Sequence, residues 1–211
     1  MATKRKTAKA PAKKVQPKAK ITAVSKRYMA MEEKYGAHKY HPLPVVLERG
    51  KGIYVWDVEG NKYFDFLSSY SAVNQGHCHP KIVKALKDQA DKLCLTSRAF
   101  YNNCLCEYEK FMHGYFGYDK VLPMNTGAEG VETALKLARR WGAVKKGIPN
   151  DKIKIICCSG NFHGRTVTII TMSDDPSSFA QYGPLTPGFI RIPYNDPKAL
   201  EKALDKYGKE V

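Results

Sequence analysis

The strongest periodic signal lies in the second half of the chain. Val131, Ala134, Leu135 and Ala138 fall at i, i+3, i+4 and i+7, the spacing of an amphipathic helix with one buried face. Ahead of it runs Met124-Asn125-Thr126-Gly127-Ala128-Glu129-Gly130, and before that the short apolar run Val121-Leu122-Pro123-Met124, which reads as a strand end. The predicted order is strand, tight glycine turn, helix. Ile53–Val58 and Lys62–Phe66 alternate apolar and polar residues across Glu59-Gly60-Asn61, the pattern of a β-hairpin. Pro80 opens a helix with Ile82, Val83, Leu86, Ala90 and Leu93 on one side. Another helix reaches to about Phe116, with Leu105, Tyr108, Met112 and Tyr115 as its seam, and Tyr28–Tyr35 is compatible with a short one. Lys154–Cys158 is a continuous apolar run of the kind found in buried parallel strands. Val167–Met172 starts a helix, Phe189–Ile192 is a strand, and Asp196-Pro197 supplies a cap and a first helical residue. Strands alternating with helices predict an α/β fold with a parallel sheet.

Between these elements lie polar loops: Leu67–His79, Thr96–Asn102, Ser159–Thr166 and Ser173–Gly188. The first 27 residues stand apart. They hold ten Lys or Arg and no acid, so a formal charge of +15 shrinks to +5 for the remaining 25 basic and 20 acidic residues. A Lys/Ala/Pro-rich segment buries too little apolar surface to offset its ordering entropy, and residues 1–27 are expected to be a disordered basic tail. Such a tail binds nucleic acid only non-specifically, if at all, and equally suits a solvated arm. It is richer in Lys than a transit peptide and has almost no apolar face. The cytoplasm is therefore the first expectation and the mitochondrial matrix the alternative. No apolar run reaches the length of a membrane span, and no secretory core follows Met1. Cys78, Cys94, Cys104, Cys106, Cys157 and Cys158 show no secreted-framework spacing, which points to a reducing compartment. His77-Cys78-His79 lacks a second ligand pair, so no metal site is expected.

The candidate chemistry centres on the glycine turn. A helix start leaves backbone N–H groups without partners and carries partial positive charge, and Gly127 lets an anion come close. The same residues also describe an ordinary capped helix, with Thr126 as cap and Glu129 in the first turn. Gly130 costs up to about 1 kcal/mol of helix propensity relative to alanine. Taken singly, Phe162 reads as a core anchor after a strand, Arg165 as a surface arginine, and Tyr40 and Tyr70 as loop tyrosines packing on the hairpin.

Several blocks together resemble the class III pyridoxal-phosphate-dependent aminotransferases, and among them those acting on ornithine. These are Tyr35–Pro44 (YGAHKYHPLP), Gly52–Pro80 (GIYVWDVEGNKYFDFLSSYSAVNQGHCHP), Thr96–Asn102 (TSRAFYN), Met124–Arg139 (MNTGAEGVETALKLAR) and Asn161–Thr166 (NFHGRT). The hairpin and the Asn-Thr-Gly turn are shared across the class; the first block and LSSYSAVNQGHCHP are specific to the ornithine group. The resemblance runs from about residue 28 to the end. It implies the large domain of the fold-type-I transferases, a partial parallel sheet with helices, over residues 81–211, preceded by an N-terminal hairpin segment over 28–80.

The cofactor implied is pyridoxal 5′-phosphate. The resemblance places its phosphate on Thr126, Gly127 and Ala128, its ring against Phe162, the substrate α-carboxylate on Arg165, and an ornithine-selecting wall at Tyr40 and Tyr70. These residue types suit those roles, because backbone donors suit a phosphate, an aromatic face suits a pyridine, and a guanidinium matches a carboxylate in two-pronged fashion. The expected reaction moves the δ-amino group of ornithine to 2-oxoglutarate, in a homodimer in the full-length protein. The Schiff-base lysine and the acidic partner of the pyridine nitrogen are expected beyond Val211, so the chain alone is expected to be inactive and no catalytic residue is assigned. Acetylornithine-type or 4-aminobutyrate-type aminotransferases are the alternatives, as is a non-catalytic truncated product.

Overall fold

The structure, a computed structural model, describes residues 21–37 and 40–211. The chain divides into two compact units, one ending at Tyr101 and one running from Asn102 to Val211.

The first unit begins with helix α1 (Ala23–Tyr35). Its start lies five residues before the helix expected at Tyr28, inside the segment expected to be disordered; residues 1–20 of that segment lie outside the described residues. The physical reason is a cap and a long-range anchor. Thr22 Oγ1 accepts from the Val24 N–H, and both Thr22 Oγ1 and Ser25 Oγ donate to Glu59 Oε1 at 2.6 Å. Glu59 sits in the hairpin turn, so the helix is fastened to the sheet by a carboxylate far away in sequence.

The sheet holds β1 (Leu47–Lys51), β2 (Tyr54–Asp57) and β3 (Lys62–Phe64), antiparallel in that order. β2 and β3 form the predicted hairpin, with Val55 opposite Tyr63. β1 was not predicted: Leu-Glu-Arg-Gly-Lys shows no alternation, and only its pairing with β2, across a bulge between Leu47 and Arg49, makes it a strand. Asp57 closes the hairpin. Its carboxylate accepts from the Tyr63 hydroxyl at 2.7 Å, from Asn61 Nδ2 at 2.9 Å, and from the Asn61 and Glu59 N–H groups. After the sheet come α2 (Ser68–Ser71), a single turn, and α3 (Pro80–Ala90), which starts on Pro80 as expected.

The second unit opens with α4 (Asn103–Phe116), capped by the Asn102 side chain and ended by Gly117 at φ 75°. No α4 residue is fully buried among the described residues; of the expected seam, Leu105 and Met112 are half-buried while Tyr108 and Tyr115 are exposed. Val121–Met124 is not a strand, contrary to expectation: among the described residues no strand pairs with it, and a strand without a ladder has no defining hydrogen bonds. Helix α5 (Gly127–Lys146) follows, and β4 (Ile155–Cys158) pairs in parallel with β5 (Phe189–Ile192). Short α6 (Val167–Ile170) and α7 (Pro176–Phe179) and the final α8 (Pro197–Tyr207) complete it. The core is Leu135 of α5, Cys157 of β4, Ile169 of α6 and Met172, with Ile169 only 1% exposed. Ala128 and Val131 pack against it, which ties the start of α5 to the core.

Candidate functional site

Thr126 is extended (φ −136°, ψ 160°) and caps α5 through a reciprocal pair. Its Oγ1 accepts from the Glu129 N–H at 3.1 Å, while Glu129 Oε2 accepts from the Thr126 N–H at 3.0 Å. This capping box satisfies two donors at the helix start. Among the described residues, the N–H groups of Gly127 and Ala128 have no such partner. A Cβ placed on Gly127 or Gly130 would meet no atom within 4 Å, so the space around both is open. Two unpaired donors at the positive end of a 20-residue helix, next to open space, form a cradle for an anion.

The loop after β4 is brought to this turn by contacts far apart in sequence. Asn161 Nδ2 donates to the carbonyls of Cys158 at 2.6 Å and Met172 at 2.8 Å, bridging the end of β4 to the end of α6. The Gly160 N–H is shared by both Asp174 oxygens at 3.0 Å. Gly164 adopts φ 131°, and a Cβ there would come within 2.9 Å of the Ala128 Cβ. Thr166 Oγ1 donates to Glu132 Oε1 on the second turn of α5. The loop carrying Phe162 and Arg165 therefore lies directly on the glycine turn. The Arg165 guanidinium sits over the Phe162 ring, 5.6 Å from its centroid, and the ring is 72% exposed. Phe162 is thus not a core anchor.

Thr126, Gly127, Ala128, Phe162 and Arg165 all belong to the second unit. Gly164, Asn161 and Glu132 join them although the sequence analysis gave none of the three a role. The glycine between His163 and Arg165 was the available signal; the other two act through contacts no spacing reveals. A cleft of about 800 Å³ in this unit lies between the α5 face (Val131, Ala134, Leu135, Ala138) and β4, beside the site loop. It is lined by Gly160, Asn161 and His163 of that loop, but by none of Thr126, Gly127, Ala128, Phe162 and Arg165. Its walls are mainly apolar, with Ser159, Asn161, His163 and Tyr194 among them.

Tyr40 and Tyr70 belong to the first unit. Tyr40 lines a cleft with Tyr28, Met29, Glu32 and Leu43. Tyr70 sits in α2, 86% exposed, within a run of four non-glycine residues at positive φ: Ser68 (48°), Ser69 (48°), Tyr70 (55°) and Ser71 (73°). α2 is therefore a left-handed turn, a conformation that costs an L-residue roughly 1 kcal/mol or more. His77, the first residue of His77-Cys78-His79, shares a hydrogen bond with Asp65 Oδ2 at 2.7 Å. The backbone N–H of Ser68 holds the Asp65 carboxyl below its usual range, with His77 adding to the effect. Among the described residues no three His, Cys, Asp or Glu side chains gather as metal ligands.

A parallel β-pair flanked by helices thus carries a capped, open helix start with an aromatic–arginine loop pressed on it. A family model described as aminotransferase class-III matches residues 35–209, and the chain belongs to that family. Among its relatives are ornithine aminotransferases. It is 65% identical to the mitochondrial ornithine aminotransferase of Rattus norvegicus over 82% of this chain and 39% of the rat protein. The corresponding enzyme of Drosophila ananassae is 60% identical over 86% of this chain and 42% of its own length. Among solved structures, the ornithine aminotransferase of Toxoplasma gondii, described with partial occupancy of PLP at its active site, superposes with a TM-score of 0.84 at 47% identity, covering 86% of this chain and 42% of that one. An acetylornithine aminotransferase from Elizabethkingia anophelis reaches 62% identity and a TM-score of 0.76 over 89% of this chain and 45% of its own. The chain thus spans about two-fifths of the length of the curated relatives it matches.

Proposed function

We propose that this chain is the part of an ornithine δ-aminotransferase that grips the cofactor phosphate and the substrate carboxylate. The observation that carries the proposal is the seating of the Phe162–Arg165 loop on the Gly127–Ala128 turn through Gly164. In this reading, Thr126, Gly127 and Ala128 hold the phosphate of pyridoxal 5′-phosphate. The residues present fit that group, with two donors unpaired and open space at Gly127. When bound, the cofactor supplies an electron sink for the carbon that loses its proton. Phe162 offers a face to the pyridine ring. Arg165 holds a substrate carboxylate by two parallel N–H bonds. Tyr40 and Tyr70 wall the substrate so that the terminal amine is the one presented. Overall, ornithine and 2-oxoglutarate would yield glutamate 5-semialdehyde and glutamate. The cofactor-binding part would occupy residues 81–211 and the hairpin segment 28–80, in a homodimer.

No helix among the described residues is long and apolar enough to cross a membrane. The rat and Drosophila relatives carry "mitochondrial" in their names, which favours the matrix over the cytoplasm for this chain. The basic tail keeps at most a non-specific affinity for nucleic acid.

A second reading, an acetylornithine-type enzyme, draws on the 62% identity to the Elizabethkingia protein. One experiment separates the two. Residues 28–211 are joined to the remaining portion of the rat enzyme and assayed with ornithine and with N-acetylornithine as amino donors. Preference for ornithine, weakened in Tyr40→Ala or Tyr70→Ala while Arg165→Ala lowers turnover of both donors, supports the first reading. Preference for N-acetylornithine overturns it.

A further inference from the structure

The turn that carries Tyr70 is held in an unfavourable conformation by a device outside the site residues above. Four consecutive non-glycine residues, Ser68 to Ser71, adopt left-handed angles, a run that L-residues do not sustain unaided. Tyr70 is 86% exposed, so core packing does not impose the shape. The turn's own backbone bonds, from the Tyr70 N–H to the Leu67 carbonyl at 2.9 Å and from the Val73 N–H to the Ser68 carbonyl at 3.1 Å, are joined at its entrance by Asp65. One of its carboxylate oxygens, Oδ1, accepts from the N–H groups of Leu67 at 3.0 Å and Ser68 at 2.8 Å, at the entrance to the turn. The other meets His77 Nε2 at 2.7 Å.

Both residues also stand on the hairpin. The Asp65 N–H donates to the Ile53 carbonyl at 2.9 Å. His77 exchanges two backbone hydrogen bonds with Gly52, at 2.8 and 2.9 Å. The His77 ring lies so close to Gly50 that a Cβ there would fall 2.7 Å from its Cγ. The two feet of the 65–77 loop therefore rest on neighbouring residues of one turn, and the carboxylate between them reaches forward to the backbone that turns left-handed.

We infer that Asp65, fixed by His77, is a positioning residue that sets the orientation in which Tyr70 is presented to substrate. The substrate half of this inference rests on the proposed role of Tyr70; the positioning half does not. Strain concentrated under an exposed side chain, and held by a polar clamp rather than by the core, is the pattern of a preorganised binding residue.

The test uses the full chain labelled with 3-fluorotyrosine, its Tyr70 resonance assigned by loss in Tyr70→Phe. In Asp65→Ala the Tyr70 resonance is expected to move to the position of free fluorotyrosine while those of Tyr54 and Tyr63 stay in place. The Ser68 amide is expected to exchange at least about tenfold faster than in the wild type. Asp65→Asn keeps an acceptor oxygen for both amides and, with His77 in its other tautomer, is expected to restore the wild-type resonance. An unmoved Tyr70 resonance in Asp65→Ala, or an Asp65→Asn chain as perturbed as Asp65→Ala, overturns the proposal. Should Asp65→Ala fail to fold, exchange in the wild type decides: protected Leu67 and Ser68 amides support the clamp, and free exchange at both overturns it. L-Ornithine added to the wild-type chain probes the other half. A collapse of the turn in Asp65→Ala, together with a Tyr70 resonance indifferent to ornithine, leaves the clamp standing and removes the substrate role of Tyr70.

Discussion

Gly164 lies against Ala128: a methyl group on the glycine would sit 2.9 Å from the alanine Cβ and 3.2 Å from Ile169 Cδ1. Its φ of 131° adds a second bar to any side chain. Through this contact the loop of Phe162 and Arg165 reaches the first turn of α5. Gly164→Ala should therefore lift the loop from the turn and destabilise the second unit by roughly 1–3 kcal/mol. Chemical denaturation of the single and double variants checks it. Ala128→Gly in the same chain should restore part of the loss by removing the 2.9 Å contact, leaving the Ile169 contact and the backbone term. A double variant no better than Gly164→Ala would show that the contact is not the cause.

The reciprocal cap at Thr126 makes a separate prediction. Thr126→Ala removes the acceptor for the Glu129 N–H and should cost about 1 kcal/mol, while Thr126→Ser should stay close to wild type. Equilibrium unfolding followed by helical circular dichroism measures both. Equal loss in the two variants would place the stabilisation in the threonine methyl rather than in the hydroxyl.

The hairpin carboxylate sets a pH window. Burial pushes the Asp57 carboxyl up, but hydrogen bonds from Tyr63, from the Asn61 side chain and from the Asn61 and Glu59 N–H groups outweigh it and leave it below its usual value. The Tyr63 phenol, donating to Asp57, is pushed up to about 12. A lowered acid stabilises the fold above its unfolded value of about 3.9, and that stability is lost as pH falls through the folded value. A raised phenol stabilises the fold below about 10, and that stability is lost as pH rises through its folded value. The contribution of this pair should thus be flat from about pH 4 to 10 and fall on both sides. In Asp57→Asn the Tyr63 phenol should titrate nearer its ordinary range, read as the phenolate absorbance missing from Tyr63→Phe. An unchanged Tyr63 titration would sink this account.

Ser69 offers the converse of a damaging change. At φ 48° and ψ 49° it pays the left-handed penalty that glycine does not. Ser69→Gly should stabilise the first unit by up to about 1 kcal/mol, offset in part by the greater freedom of glycine in the unfolded chain. A thermal midpoint that falls instead would mean that the turn is not left-handed in solution.

Local signals in the sequence were enough for the elements whose cause is local. Thr126 with Glu129 three residues on, Pro80 and Pro197 at first helical positions, and the alternation across Glu59-Gly60-Asn61 all name structures whose deciding hydrogen bonds span a few residues. Elements created by distant partners were not legible. Leu47–Lys51 becomes a strand only beside Tyr54–Asp57, and Ala23 enters a helix because Glu59 anchors Thr22 and Ser25. Val121–Met124 shows the reverse, an apolar run with no strand among the described residues to pair with it.

The same division runs through the site. The sequence alone determined which chemistry is available: a capped, glycine-opened helix start able to meet an anion, an aromatic, and an arginine two residues before the next short helix, each a property of side-chain type and local spacing. Tertiary structure decided that these parts meet, through the missing Cβ of Gly164 against Ala128 and the hydroxyl of Thr166 on Glu132. It also decided that Asp65 and His77 clamp the turn beneath Tyr70. Contacts across 12 to 36 residues depend on how the intervening chain folds back, and no local pattern of apolar and polar positions encodes that distance.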